Sequence, residues 1–280
     1  MKKILVTTDL SNKSKAGLFF AIQLATQNKC SLTFFHAFHI LTPTAWNFTR
    51  IEAHEKEQTK IVQQKLDLFV ENIYNGLHTT AINIKCVVKQ SVMPPSCIMD
   101  YAVENKFDFI CISTRGAGKV ERILGTNTGN LINHSAIPVI AVPYKYKTTT
   151  ITSILYASDL AHFKKEIIQV VAFAKPLKAT IELLHLTSFL ENSDQLKAIK
   201  MAVKKITAYH INFNLTNRNL NESFITDFEK AIKKNKPSMM IMFTEQQRSW
   251  FDKIFLSSKS AAYSFNAKVP LLVFNKTLDK

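Results

Sequence analysis

A chain of 280 residues with 46% hydrophobic and 20% charged side chains has enough apolar material for one large core or two ordinary ones. Its net charge of +15 is carried mainly by lysine and spread over both halves, without a basic run dense enough for an arm, so it reads as a solvated surface rather than a nucleic-acid groove. No apolar run reaches the roughly 18 residues of a membrane span, and the opening MKKILVTTDLSN is too short for an export signal and is broken at Asp9, so a cytoplasmic protein with no membrane partner is expected.

KILVTT at 3–8 reads as a buried strand ending at Asp9, and Ser11 or Asn12 is placed to cap the helix that follows. Ala16, Phe19, Phe20, Ile22, Leu24 and Ala25 give that helix a broad apolar face. Ser31 to Phe38 is the second strand. An irregular stretch with Pro43 and Trp46 leads into a long helix over about 50–74, with Ile61, Leu66, Leu68, Phe69 and Ile73 facing inward. Trp46 and Phe48 either line the mouth of a site or pack the start of this helix. The third strand is predicted over 81–88, and Pro94–Pro95 opens the next helix, turning Ile98, Tyr101 and Ala102 to the sheet. The fourth strand, 108–113, runs into Ser113, Thr114, Arg115 and Gly116. Gly118 and Gly125 follow, then a helix near 126–134 and a fifth strand at 138–142. Strand, glycine-bearing loop, helix and strand form a parallel crossover, and the unpaired N–H groups at such a helix start can receive an anion. The same small and polar residues also serve any ordinary turn or cap.

After a polar joint, KYKTTT at 145–150, the order begins again. Strands are expected at 153–157, 179–185, 211–215, 238–243 and 269–274, with helices near 162–174, 192–209, 219–234 and 254–265. Ser158–Asp159–Leu160 mirrors Thr8–Asp9–Leu10, and VPLLVF near the end answers IPVIAV at 137–142. A period near 150 residues points to two copies of one α/β domain, at 1–146 and 151–280.

ILVTTDLS at 4–11, STRG at 113–116, GTNTGNLI at 125–132 and PVIAVP at 138–143, with ILYASDL at 154–160 and PLLVF at 270–274, resemble the universal stress protein family in its tandem form. The resemblance implies two similar open, parallel five-stranded sheets with helices on both faces, a Rossmann-like α/β class shared with adenine nucleotide alpha hydrolases. It further implies reversible binding of ATP, AMP or a related nucleotide, with Mg²⁺ only as a companion of ATP. The family's phosphate pattern is glycine, two residues, glycine, nine residues, glycine, then serine or threonine. It falls on Ser113 in place of the first glycine, on Gly116, on Gly125 after eight residues, and on Thr126, with Asn127 next and Gly118 inside the loop. The family's acidic residue becomes Asp9, backbone near Val87 or Val88 would hold the base edge, and Arg115 either reaches a phosphate or faces water. Ser113 adds a side chain where backbone approaches a ligand closely. In the second half the family loop is replaced by TEQQRSWFDKIFLSSKSAAYSF, and no glycine occurs after Gly129. The second domain is therefore expected to be structural, pairing within the chain as family members pair in a dimer. A homodimer is left open, and a scaffold of the same fold without nucleotide is the alternative.

GxxxxGK[ST], GxGxxG and GxSxG are all absent, which removes support for a P-loop, a dinucleotide site and a nucleophile elbow. Asp9 ends its strand either as a ligand at the sheet rim or as a helix cap, and no general base can be assigned, so at most slow ATP hydrolysis is expected. Cys30, Cys86, Cys97 and Cys111 form no CxxC pair and read as reduced thiols without metal-ligand spacing.

Overall fold

The computed structural model describes residues 2–79, 84–114, 126–187, 193–219, 221–222, 224–244 and 269–275. The chain divides into two compact units, Met1–Thr148 and Thr149–Lys280. In the first unit the order is β1 (Lys3–Thr7), α1 (Lys15–Gln27), β2 (Ser31–Phe38), α2 (Phe48–Gly76), β3 (Lys85–Gln90), α3 (Pro94–Glu104), β4 (Phe109–Ser113), α4 (Thr126–His134) and β5 (Val139–Val142). The strands lie in the order β3-β2-β1-β4-β5, and the pairs from β3 through β5 are parallel. β1 and β4 sit in the middle, and Ile4, Leu5, Val6, Ile110 and Cys111 have no exposed surface. Near-continuous apolar runs are what a parallel strand covered on both faces requires.

The second unit contains β6 (Ser153–Ala157), α5 (Phe163–Leu177), β7 (Thr180–Thr187), α6 (Ser193–Ile206), β8 (Ile211–Asn217), α7 (Phe224–Asn235), β9 (Met239–Thr244) and β10 (Leu271–Asn275). Its strand order, β10-β9-β6-β7-β8, is the first unit's order with each strand replaced by its successor copy, again in parallel pairs. The agreement extends to single bonds. Ile110 N–H donates to the Pro138 carbonyl at 3.0 Å, and Met240 N–H to the Pro270 carbonyl at 2.9 Å. Asp108 N–H donates to the Lys3 carbonyl (2.9 Å), and Ser238 N–H to the Ser153 carbonyl (3.1 Å). The helix predicted near 254–265 lies outside the described residues.

Several local expectations shift. α1 begins later than Ser11 or Asn12 suggests. Its N-cap is Ser14, whose hydroxyl bonds the Ser11 carbonyl (2.8 Å) and the Thr8 hydroxyl (2.7 Å) rather than the helix's own amides. α2 starts at Phe48 because Asn47 caps it, its side chain accepting from Arg50 N–H at 3.0 Å. Its buried stripe is Leu66, Val70, Ile73 and Tyr74, while Leu68 is 59% exposed. The stripe follows the i, i+4, i+7, i+8 spacing, so Val70 and not Leu68 completes it. The described third strand lies at Lys85–Gln90, further along than predicted, and residues 80–83 fall outside the described set.

Candidate functional site

In a parallel sheet all strands deliver their carboxyl ends to one edge, where ligands of open α/β folds bind. In the first unit that edge gathers the loop after β1, the end of β4 and the first turn of α4. The loop is tightly specified. Thr8 Oγ1 accepts from Leu10 N–H (3.0 Å), and the Asp9 carboxylate accepts from Ser11 N–H (3.0 Å) in an Asx turn. Leu10 is held at φ 62°, a left-handed conformation a leucine adopts only when its surroundings dictate it. His36 Nδ1–H donates to the Thr8 carbonyl at 2.8 Å and ties the loop to β2. Burial pushes the His36 imidazole below its usual value, against the Thr8 hydrogen bond and the Asp9 charge, which favour protonation.

Ser113 is buried, and its hydroxyl donates to the Lys13 carbonyl in the β1–α1 loop at 2.8 Å. The Ser113 carbonyl accepts from the buried Thr128 hydroxyl at 3.1 Å. Two hydrogen bonds thus chain the β1–α1 loop, the end of β4 and the start of α4 together. The Ser113 side chain thereby fastens the frame. Close packing of α1 on β4 depends on Gly17, where an added Cβ would stand 3.1 Å from Ser113 N.

Of the residues named from sequence, Asp9, Thr126 and Asn127 are exposed at this rim. Val87 and Val88 are half-buried on β3, with Val88 in register with His36 and Val87 with Phe35. Two strand spacings, about 10 Å, separate them from β1. Arg115, Gly116, Gly118 and Gly125 lie outside the described residues. Thr128, Lys13 and Gly17 carry no local sequence signal of their role. Thr128 is two residues past the recognised hydroxyl position, and the Lys13 and Gly17 roles come from contacts some 100 residues away in the chain. Trp46 packs on the start of α2, with Arg50 over its ring at 4.5 Å and His54 edge-on at 5.1 Å.

The second unit repeats the loop. Leu160 has φ 66° and donates to the Ser158 hydroxyl (3.0 Å), Asp159 accepts from Ala161 N–H (3.0 Å), and His185 Nδ1–H donates to the Ser158 carbonyl (2.8 Å). Its surroundings differ. Phe243 occupies the register position of Ser113, stacked on Phe274 at 4.9 Å and edge-on to Tyr156 at 5.9 Å. Tyr156, where β1 has Val6, donates its hydroxyl to the buried Glu166 carboxylate. Glu245 to Arg248 and the serines at 257–260 lie outside the described residues.

A cavity of about 760 Å³ lies elsewhere, between the second half of α2 and β3, lined by Asp67, Glu71, Tyr74 and Cys86 among others. It shares no residue with the rim. Burial, with Asp67 nearby, lifts the Cys86 thiol to about 12, so it holds no reactive thiolate. Among the described residues no group of His, Cys, Asp or Glu is arranged to hold a metal, and no helix is long and apolar enough to cross a membrane.

The universal stress protein family model matches residues 1–143. A solved universal stress protein from Archaeoglobus fulgidus aligns with 98% of this chain and 98% of its own, at 14% identity and a TM-score of 0.69. A putative universal stress protein from Pseudomonas aeruginosa covers 98% of this chain and 93% of its own, at 12% identity and a TM-score of 0.60. These likenesses show the fold along both halves. No curated protein matches the chain.

Proposed function

Because the chain belongs to the universal stress protein family, we propose that its first unit holds an adenine nucleotide, ATP or AMP, reversibly at the carboxyl-end rim of β1 and β4. The observation that carries this reading is the frame built by Lys13, Ser113 and Thr128, which fixes α4's first turn at the end of β4. Amides of that turn have no partner within the helix and suit phosphate oxygens, with the Thr126 hydroxyl and Asn127 beside them. Lys13, exposed on the fastened loop, adds a cation. Asp9 faces the ribose or base, and the backbone near Val87 and Val88 takes the base edge. Mg²⁺ enters only with ATP. No residue is assigned as a general base, so binding rather than turnover is the function, with at most slow hydrolysis.

The repeated strand order, loop geometry and strand-end bonds support a tandem origin for the two units. The second unit is read as structural, standing in for the partner subunit of a one-domain dimer. Phe243 in the position of Ser113 supports a second site that no longer takes a ligand.

A second reading, an interaction scaffold, draws on Leu41, Phe48, Val92 and Met93, which are 83%, 79%, 72% and 64% exposed on segments following β2 and β3. Calorimetric titration with ATP, ADP and AMP, with and without Mg²⁺, separates the two. Saturable heat that disappears in Gly125→Arg and weakens in Thr126→Ala is expected. Absence of heat with all three nucleotides at millimolar concentration would leave the scaffold reading.

A further inference from the structure

We propose that the face of the second unit formed by α5 and α6 is a docking surface for an anionic lipid bilayer. The two helices pack against each other. Together they carry seven lysines and two acidic residues, Glu166 and Asp194. Glu166 is 3% exposed and engaged with Tyr156, so its charge is withdrawn from the surface. Lys164, Lys175, Lys200, Lys204 and Lys205 are exposed, as is Lys178 just past the end of α5.

Each helix also presents one large apolar side chain to water. Ile168 on α5 is 59% exposed and Met201 on α6 is 60% exposed. Ile168 follows Lys164 by four residues. Met201 lies three and four residues before Lys204 and Lys205 and four after Lys197. At those spacings side chains share a helix face. Met201 is therefore bracketed by lysines, and Ile168 shares its helix face with Lys164.

The contrast within the molecule is informative. The helices in the same places of the first unit, α1 and α2, carry five basic and five acidic residues. The fold itself does not call for a cationic face there. The second unit has acquired one where the first is neutral.

The chemistry favours a bilayer over nucleic acid. Lysine is a compact charge suited to a layer of headgroups, whereas base reading uses the forked guanidinium of arginine, and single strands need aromatic platforms. α5 and α6 carry no arginine, and their exposed apolar tips are aliphatic. Aliphatic tips among lysines match an interfacial surface that inserts shallowly while its charges meet lipid phosphates. Such docking is a surface contact and needs no membrane span.

The test is flotation of the full chain with phosphatidylcholine vesicles, with and without phosphatidylserine, over a salt series. Binding is expected only with phosphatidylserine, and it falls as salt rises. Lys200→Gln/Lys204→Gln/Lys205→Gln weakens it about a hundredfold. Ile168→Ser/Met201→Ser also weakens it while leaving the melting curve and nucleotide titration unchanged. No phosphatidylserine-dependent flotation of the native chain overturns the proposal. So does tighter binding to a mixed-sequence oligonucleotide than to vesicles with the Ile168/Met201 variant indistinguishable from native, which would mark a nucleic-acid surface.

Discussion

Gly17 offers a sharp test of the packing that frames the rim. It lies inside α1, where glycine ordinarily costs a helix about 1 kcal/mol relative to alanine. On propensity alone Gly17→Ala should stabilise the protein. The structure reverses the sign. A Cβ at Gly17 would meet Ser113 N at 3.1 Å and the Ile112 carbonyl carbon at 3.4 Å, both backbone atoms of β4. A flexible side chain could swing aside, but β4 is held in register by β1 on one side and β5 on the other. Relief must come from displacing α1 or the strand end, and overpacking of this kind costs roughly 1–3 kcal/mol. The expected balance is a loss of about 1 kcal/mol, or about 3 °C in melting temperature for a unit of this size. Gly129, inside α4, is the internal control: a Cβ there meets nothing within 4 Å. Gly129→Ala should gain up to about 1 kcal/mol. Urea unfolding followed by circular dichroism measures both. A Gly17→Ala chain as stable as the native one, or more so, would refute the claim that α1 sits at closest approach to β4. Because Ser113 N is the atom pressed, Gly17→Ala should also weaken nucleotide binding, whereas Gly129→Ala should affect it less.

Two further predictions concern titration. Burial first, with smaller charge effects, raises the Cys30 thiol to about 11 and Cys86 to about 12. Maleimide labelling of these cysteines should therefore be slow at pH 8 and keep climbing with pH beyond 10, and a plateau near the free-cysteine value of about 8.5 would contradict it. His36 is held below its ordinary value by burial, so the folded chain binds fewer protons there than the unfolded chain once pH drops toward about 6.5. Stability should fall on acidification through that range, more steeply in the native chain than in His36→Gln, and a His36 NMR midpoint at or above the free-histidine value would rule this out.

The parts of the fold legible in the sequence are those whose signal is local. β2 falls at Ser31–Phe38 and α4 at Thr126–His134, where a continuous apolar run or a clear helical period is bounded by polar residues. β3 was harder to place. It ends the first unit's strand order, its side chains are only half-buried or exposed, and KCVVKQ carries little of a core strand's pattern. In α2 the charged first half gives no phase, so Leu68 is read into a stripe that packing on β3 completes with Val70. At the rim, Asp9 is visible as a strand-ending carboxylate, but Ser113 reads as an added side chain where a ligand would approach. Its actual partner, the Lys13 carbonyl, is separated by 100 residues, and no local pattern encodes such a bond. The second unit's Ser158–Asp159–Leu160 was legible as a copy of Thr8–Asp9–Leu10, whereas the exchange of Ser113 for Phe243 emerges only once strand register is known.

That exchange belongs to a cluster whose energetics can be tested. Tyr156 is fully buried and Glu166 is 3% exposed. The Tyr156 hydroxyl donates to Glu166 Oε2, and the Ser158 hydroxyl reaches the same oxygen at 3.2 Å. Burial, reinforced by the Glu166 charge, holds the phenol well above its ordinary value, so it stays a donor. Tyr156→Phe removes the phenol hydroxyl from a buried carboxylate and should cost about 1.5–3 kcal/mol, the range for hydrogen bonds to charged groups. Glu166→Leu leaves the phenol without that acceptor, also at a cost. With both replaced, no polar group of the pair remains to be satisfied, and an apolar pair of similar volume can match or exceed a buried polar one. The first unit already has the apolar solution, with Val6 at the position of Tyr156. Tyr156→Phe/Glu166→Leu should therefore be more stable than Tyr156→Phe alone, with a coupling energy of at least about 1 kcal/mol in a denaturation cycle. Losses that add within about 0.5 kcal/mol would mean that the two side chains act independently. The second unit's interior would then have to be explained by packing alone.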